Sequence, residues 1–372
     1  MEPPTATAVQ DSGQSAGVSA LPERMLAHRL TAWGAPPSWA TVPVPRPGPG
    51  QVLVRVLAVG LCHSDLHVVD ARPGVMAFEP PFTLGHEVAG EVAAVGAGVV
   101  AWRPGDRVAV HGVWGCGRCR HCLNGRENYC LDRGPAVGGG LGADGGLAAY
   151  QLVPAERFLV AADGLPPAVV APLTDAGLTS YHAVTRSLPR LHPGATAVVI
   201  GVGGLGHLAI QLLRASGAVT VVAVDTRQSA RDLARRHGAV EVSAGGDDAV
   251  ATLRRLGGAD LVLDFVGAPA TVALGVAVLR ADGELTVVGG AGGELVVGKH
   301  VGLPPGVRVS LPFWGTRAEL HAVLELARHG RLQPEVTTFA ASDVEAAYSA
   351  MRAGAVLGRA VVEGLDSVLE LN

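Results

Sequence analysis

What this chain has little of narrows its identity quickly. Lysine is almost missing, with Lys299 the only one among 372 residues, while arginine is common. That imbalance reads as a composition bias of the genome. The formal net charge is -4, so no basic footprint argues for nucleic acid or an anionic membrane surface as partner. Aromatic residues are sparse, and Gly, Ala and Val dominate, as in a globular protein. No apolar run reaches the roughly 20 residues needed to span a bilayer. The first two dozen residues are rich in Pro, Ser, Thr and Ala, without the basic start and apolar block of a secretory signal. Residues 1–24 are therefore expected to be a disordered extension, with the fold starting near Met25 and the protein in the cytoplasm. Cysteine is scarce as well. There are five, an odd number that leaves a thiol over in any all-disulfide scheme. In a reducing compartment, clustered thiols bind metal more often than they pair.

The length exceeds one typical core and suggests about two domains. Residues 25–160 read as β-rich. Strands are expected at 51–59, 88–95 and 106–110, punctuated by Gly-containing turns. Such a region suggests a sandwich or partly open barrel, with the cysteine segment and residues 135–146 as excursions. From Ala195 the pattern changes to alternating strands and helices. Strands are expected at 195–200, 219–224, 240–243, 260–265 and 284–289. Helices are expected at 205–216, 227–237, 247–256 and 269–280. Repeated βα units build a parallel sheet with helices on both faces. A strand at 307–313, an amphipathic helix at 317–329 and a short α/β tail complete the chain.

Within the second region, Ala-Val-Val-Ile runs into Gly201-Val-Gly203-Gly204-Leu205-Gly206 and then a helix. These glycines permit a tight turn, close approach to a pyrophosphate and close helix–strand packing. The helix N-terminus supplies unpaired N–H groups and a positive dipole end. Asp225 ends the next strand at the spacing where an acid accepts both ribose hydroxyls and repels a 2′-phosphate. That favours NAD over NADP. Arg227 and Arg231 lie close by, and an arginine can also pair with a 2′-phosphate.

Four cysteines, Cys116, Cys119, Cys122 and Cys130, fall in one stretch spaced C-x2-C-x2-C-x7-C. Four thiolates close a tetrahedral zinc site and leave no open position, so such a site holds a loop and does no chemistry. A nucleic-acid-binding knuckle is the competing reading, but the flanks Gly115, Gly117, Gly125, Glu127 and Asp132 are not basic. Cys62 stands apart, with Gly85-His86-Glu87 as candidate partners at a second metal.

Taken with Gly-Leu-Cys62-His63-Ser64-Asp65-Leu66-His67 and Pro172-Leu-Thr-Asp175-Ala-Gly-Leu-Thr179, these motifs resemble zinc-dependent medium-chain alcohol dehydrogenases. The resemblance spans about Met25 to Val362. The resemblance implies an α/β fold, a Rossmann doubly wound parallel sheet at 177–316 plus a β-rich GroES-like catalytic domain at 25–176 and 317–372. It implies NAD and two zinc ions per subunit, one structural on the four cysteines and one catalytic on Cys62, His86 and Asp175. The family usually has Cys at the third position, and some bacterial secondary-alcohol dehydrogenases resemble this chain in carrying Asp there. Glu87 is expected beside the metal, as a ligand that swaps in or as the buried partner of Arg359. Asp65 would accept from the zinc-bound histidine, or cap the helix that starts near Ser64. Ser64 and His67 would relay the alcohol proton to solvent. His63, Thr179, Leu205, Val288 and Arg359 join the glycines, Asp225 and Arg227 around the cofactor. Phe78, Trp114 and Trp314 are the pocket candidates. His111, His182, His207 and Arg317 are read as solvated or satisfied in the core.

An apolar cleft with one zinc and no charged clamp suits small to medium alcohols, ketones or aldehydes, and the Trp314-Gly-Thr-Arg317 tract resembles the secondary-alcohol members. An uncovered apolar edge strand at 307–311 would pair with a second subunit, giving a homodimer or homotetramer. Two alternatives stay open: an NADP-linked aldehyde or ketone reductase of the same superfamily, and a non-catalytic binding protein that kept the fold.

Overall fold

The Val-rich run after the Pro/Gly turn near residue 50 forms the strand Val52–Leu61, the centre of the first half of the molecule. Here and below, the computed structural model describes residues 21–366 except 218 and 301. Most of the expected N-terminal extension, residues 1–20, lies outside the described residues. Its last residue does not: Arg24 already belongs to the strand Arg24–Leu30, and Leu21 packs beside Met25 and Val44. Packed chain therefore reaches back at least to Leu21, a few residues earlier than expected, because apolar Leu21 has a core to join.

Val52–Leu61 pairs antiparallel with Glu87–Val95 on one side and Arg359–Glu363 on the other, and with Tyr150–Val153 near its start. The sheet continues through Arg107–Val110 to Leu159–Ala161, and through Arg359–Glu363 to Val336–Ala340. The end of the chain thus returns to the sheet its beginning builds. Two-residue periodicity is weak in Val52–Leu61, which is buried almost throughout. Both faces are covered, so an apolar run rather than an alternation marks it.

Residues 196–310 form a six-stranded all-parallel sheet. Its order is Glu241–Ser243, Thr220–Val224, Thr196–Ile200, Ala259–Asp264, Leu279–Val287, Arg308–Ser310. The chain starts in the middle, winds one way, then crosses back to wind the other. That reversal opens a crevice at the carboxyl ends of Thr196–Ile200 and Ala259–Asp264, the place where such sheets bind ligands. The helices Gly206–Ala215, Gln228–Arg236, Gly246–Arg255 and Pro269–Val278 match the expected ones to within a residue or two at most ends. Two ends differ. Leu279 and Arg280, expected to be helical, open the next strand, where Leu279 pairs with Ala259. The last strand stops at Ser310 instead of Phe313, because Pro312 has no N–H to give a ladder.

Between the two halves the sequence reading found no helix. The structure has three in succession: Pro167–Pro172, a wide π-helical turn at Leu173–Gly177, and Leu178–Ser187. All five residues of the wide turn are buried. An inserted π-turn swells a helix by one residue and re-aims side chains, and such bulges concentrate at functional sites. This one carries Asp175.

Candidate active site

Strand Val52–Leu61 ends where the short helix His63–Val69 begins, and Cys62 sits at that junction. The carboxylate of Asp65 plays both of the roles the sequence left open. One oxygen accepts from the Cys62 backbone N–H at 2.7 Å and caps the helix. The other lies 3.0 Å from His86 Nδ1, so Nδ1–H donates and Nε2 keeps its lone pair. That Nε2 atom is buried and has no hydrogen-bond partner. It faces Asp175, 3.6 Å from a carboxylate oxygen. The ligand atoms of Cys62, His86, Glu87 and Asp175 all lie within 4.8 Å of one another, and all four residues are buried. A buried lone pair without a partner is costly, and a cation between these groups removes the cost. A thiolate, an imidazole and a carboxylate are borderline-soft donors that fit zinc with one position open.

Behind the cluster lies Arg359, 3% exposed. Its guanidinium is bidentate on Glu87, with Nε at 3.0 Å from one oxygen and Nη2 on the other, and Nη2 also reaches Asp175 at 3.2 Å. Burial pushes Glu87 up to about 7, with Arg359 opposing the shift. Burial would raise Asp175 too. When His86 carries a proton on Nε2 in place of a metal, that ring, Arg359 and the Thr179 hydroxyl outweigh burial and hold the carboxyl well below the usual range. With Cys62 as thiolate, three anions face one guanidinium, a deficit that a divalent cation neutralises. Gly60 pairs with Glu87 across the strands. A Cβ there would sit 1.9 Å from Glu87 Oε2, so only glycine lets Glu87 lie across to Arg359.

The same guanidinium touches the other half of the molecule. A Cβ at Gly204 would lie 2.7 Å from Arg359 Nη1, and one at Gly206 would lie 2.0 Å from the Gly201 carbonyl. Gly201 has φ +86°, a conformation that favours glycine. The glycine turn and the donor cluster are therefore one arginine apart. Asp225 is 9% exposed at the end of its strand. It accepts from the Val202 and Arg227 N–H groups, each at 2.9 Å, and from the Arg227 side chain at 3.2 Å. Val288 N–H donates to the Asp264 carbonyl at 2.8 Å, half-buried beside the crevice.

Two residues expected at the cofactor also serve the donor cluster. Thr179 donates to Asp175 at 2.7 Å and orients that carboxylate. Arg359, expected on a phosphate, also binds Glu87 and Asp175 through Nε and Nη2, while its Nη1 lies beside Gly204 of the glycine turn. His63 and His67 are exposed and Ser64 half-buried, its hydroxyl 3.5 Å from Cys62 Sγ. Trp314 packs edge-on against His86, ring centroids 5.5 Å apart. Phe78 instead packs on Phe82 and Trp33, at 5.5 and 6.3 Å, and Trp114 on Phe158 at 6.2 Å. Neither has a ring contact with the cluster. His111 and His207 are fully buried and His182 nearly so, each satisfied by hydrogen bonds. Arg317 is exposed.

The four-cysteine lobe is a separate centre, its sulfurs within 4.8 Å of one another. All are free thiols. Sulfur pairs at 3.9 and 4.0 Å are far from the ~2.05 Å of a disulfide. The N–H groups of Cys116, Arg118, Cys119 and Asp132 point at Cys130 and Cys116 sulfurs, at 3.2–3.4 Å. Backbone N–H groups pull the Cys119 thiol down to about 6, while burial and the neighbouring sulfurs push Cys122 up to about 12, a crowding of sulfurs that a bound cation relieves. These are the features of thiolates arranged around a tetrahedral cation.

A redox crevice in a parallel sheet, set against a buried site for an electrophilic cation, defines the class: a metal-dependent dehydrogenase with a separate nucleotide sheet. Comparison with known proteins narrows the class. Residues 48–163 match the alcohol dehydrogenase GroES-like domain, and residues 204–329 match the zinc-binding dehydrogenase family. The NAD-dependent alcohol dehydrogenase of Sulfurisphaera tokodaii is 36% identical over 324 residues, 84% of this chain and 92% of that protein. The crystal structure of the alcohol dehydrogenase from Aeropyrum pernix superposes with a TM-score of 0.84 at 34% identity, over 91% of this chain and 100% of that one. The acetophenone reductase of Geotrichum candidum, in complex with NAD, gives 0.81 at 31% identity, over 93% and 99%. The chain belongs to the zinc-dependent medium-chain alcohol dehydrogenase family.

Proposed function

We propose that this protein transfers hydride between NAD and a small to medium secondary alcohol or ketone, with primary alcohols and aldehydes as the second substrate class. The observation that carries the reading is the unpartnered His86 Nε2, buried between Cys62 and Asp175 and one guanidinium away from the glycine turn. Cys62, His86 and Asp175 would hold zinc, and Cys116, Cys119, Cys122 and Cys130 a second zinc. When bound, the first supplies Lewis acidity toward an alcohol or carbonyl oxygen, and NAD supplies the hydride acceptor.

The chain's own residues do the rest. Asp65 fixes the His86 ring, Thr179 and Arg359 fix Asp175, and Glu87 holds Arg359 in place. Gly201, Gly203, Gly204 and Gly206 with Leu205 form the pyrophosphate turn, and Asp225 takes the ribose hydroxyls, displacing Arg227. His63 and Val288 line the dinucleotide path. Ser64 takes the alcohol proton. His67 lies one helical turn on, on the same face and exposed, placed to pass it to water. Trp314 forms a wall of the substrate cleft beside His86. Trp114 and Phe78, farther out, shape that wall from behind.

Two domains, 25–176 with 317–372 and 177–316, are our proposed units; the return of Val336–Ala340 and Arg359–Glu363 to the first sheet supports the division. A homodimer or homotetramer paired through the edge strand Arg308–Ser310 is supported by the exposed Val309, Leu311 and Phe313 beside it. A cytoplasmic location accords with free cysteines, and no helix among the described residues is long and apolar enough to cross a membrane. The NADP-linked alternative draws on Arg227, whose guanidinium already stands at Asp225.

The test is a panel of primary and secondary alcohols with NAD and NADP, read by nicotinamide absorbance, with zinc analysis beside it. Wild type should carry two zinc per subunit and oxidise secondary alcohols with NAD. Cys62→Ala should keep one zinc and lose at least about a thousandfold in kcat/KM. Full activity in that variant would refute the assignment.

A further inference from the structure

Trp314 is held in an unfavourable conformation. Its φ is +52°, an outlier for a bulky residue that persists only where the surroundings impose it. The indole Nε1–H donates to the Thr174 carbonyl at 3.1 Å, next to Asp175. The peptide carbonyls on either side are held as well. Asn128 Nδ2–H donates to the Phe313 carbonyl at 2.9 Å. His111 lies between the Val113 and Gly315 carbonyls, its two ring nitrogens at 3.0 and 2.9 Å; burial lowers its pKa and keeps the ring neutral, so its single N–H donates to one of the two. Gly112 leaves room for the ring, since a Cβ there would fall 2.1 Å from Trp314 Cζ2.

The Asn128 strut comes from the cysteine lobe. Asn128 is fully buried and lies two residues before Cys130. Its neighbour Glu127 accepts from the Arg317 N–H. On the other side, the Tyr129 hydroxyl meets His182 Nε2 at 2.9 Å, and His182 Nδ1 lies 2.9 Å from Glu319. Glu319 in turn accepts from Thr316 N–H at 2.8 Å. Three consecutive residues of the cysteine lobe therefore grip the turn from Phe313 to Glu319. A lobe serving only to close a surface loop needs no such set of buried, directed bonds to a segment nearly 190 residues away.

We propose that the Cys116–Cys130 lobe is a positioning device for the substrate cleft. Through Asn128 and Glu127, with His111 from the adjoining strand, it sets the turn that aims Trp314 at His86, and so sets which substrates the cleft accepts. Asn128 and His111 are positioning residues; they act on the substrate only through Trp314. The proposal rests on the alcohol dehydrogenase reading for its substrates, but not for its geometry.

Asn128→Ala removes one strut, and Asn128→Asp removes the same donor with less change of volume should the alanine variant fail to fold. His111→Gln tests the second strut. The variants are compared with wild type for zinc content, for hydrogen–deuterium exchange over residues 313–319, and for kcat and KM with propan-2-ol and 1-phenylethanol. Exchange should quicken in that segment while both zincs stay. KM for propan-2-ol, which depends on a close wall, should rise about fivefold with kcat within about twofold, and 1-phenylethanol should change less. A folded, two-zinc variant with unaltered exchange and an unaltered ratio between the two alcohols overturns the proposal, whatever its melting temperature. If wild type oxidises neither alcohol, the functional reading fails, and the exchange measurement alone decides the struts.

Discussion

Asp65 shows how much one side chain does here. Its two oxygens serve two masters, a helix cap and the tautomer of His86. A local motif marks the first use. The second depends on His86 arriving from another strand. Asp225 presents a similar contrast. Its position at a strand end was legible from spacing alone, yet its carboxylate is wrapped by Arg227 and two backbone N–H groups. In Asp225→Ser, the ribose hydroxyls lose an anionic acceptor and a 2′-phosphate no longer meets repulsion. KM for NAD should rise about tenfold, roughly 1.4 kcal/mol, and the preference over NADP should collapse in side-by-side initial rates. Undiminished preference would move the discrimination away from this carboxylate.

Among the elements, those with strong periodicity were legible and those defined by packing were not. Strand and helix alternation from 195 to 280 follows from apolar runs and glycine punctuation, and the structure reproduces it. The wide turn Leu173–Gly177 carries no such mark. Pro172 suggests a break, whereas the chain continues through a π-turn stabilised by burial on every side. The helix Arg317–Arg328 is the opposite case. Thr316 and Glu319 form a reciprocal capping box, with N–H···O distances of 3.2 and 2.8 Å, and an S/T-x-x-E signature of that kind is readable from sequence. Thr316→Ala should cost about 1 kcal/mol, seen as a lower urea midpoint with an unchanged slope. A change in slope instead would mean that the unfolded state, not the cap, had altered.

At the scale of the whole molecule, the two sheets are joined by a few polar clamps near the cofactor crevice. His207 is the most informative. It is fully buried, with Nδ1–H donating to the Gly203 carbonyl at 2.7 Å and Nε2 accepting from Glu335 N–H at 3.0 Å. Only the neutral ring can do both. Burial brings its pKa down to about 4, with His237 and Arg359 adding repulsion. The sign follows from proton uptake. Between about pH 6.5 and 4 the unfolded chain binds a proton that the folded chain refuses, so stability falls as pH falls through that window. The loss approaches about 3 kcal/mol at its lower end. Denaturation midpoints measured from pH 7 to 4 should show this slope, and His207→Gln should lessen it, the remainder coming from the other histidines that burial lowers.

By itself the sequence determined the alternation of strands and helices, the glycine turn, the acid that follows it and the four-cysteine group. Each of these is a local signal: a period, a spacing, or a residue type with one chemistry. What only the tertiary structure decided was where long side chains end. Arg359 reaches from one sheet to Glu87, Asp175 and the glycine turn, Thr179 turns to Asp175, and Asn128 and His111 hold the turn around Trp314. Such contacts join residues tens to hundreds of positions apart. Their partners are chosen by burial, which leaves each polar atom only those neighbours that packing brings within reach.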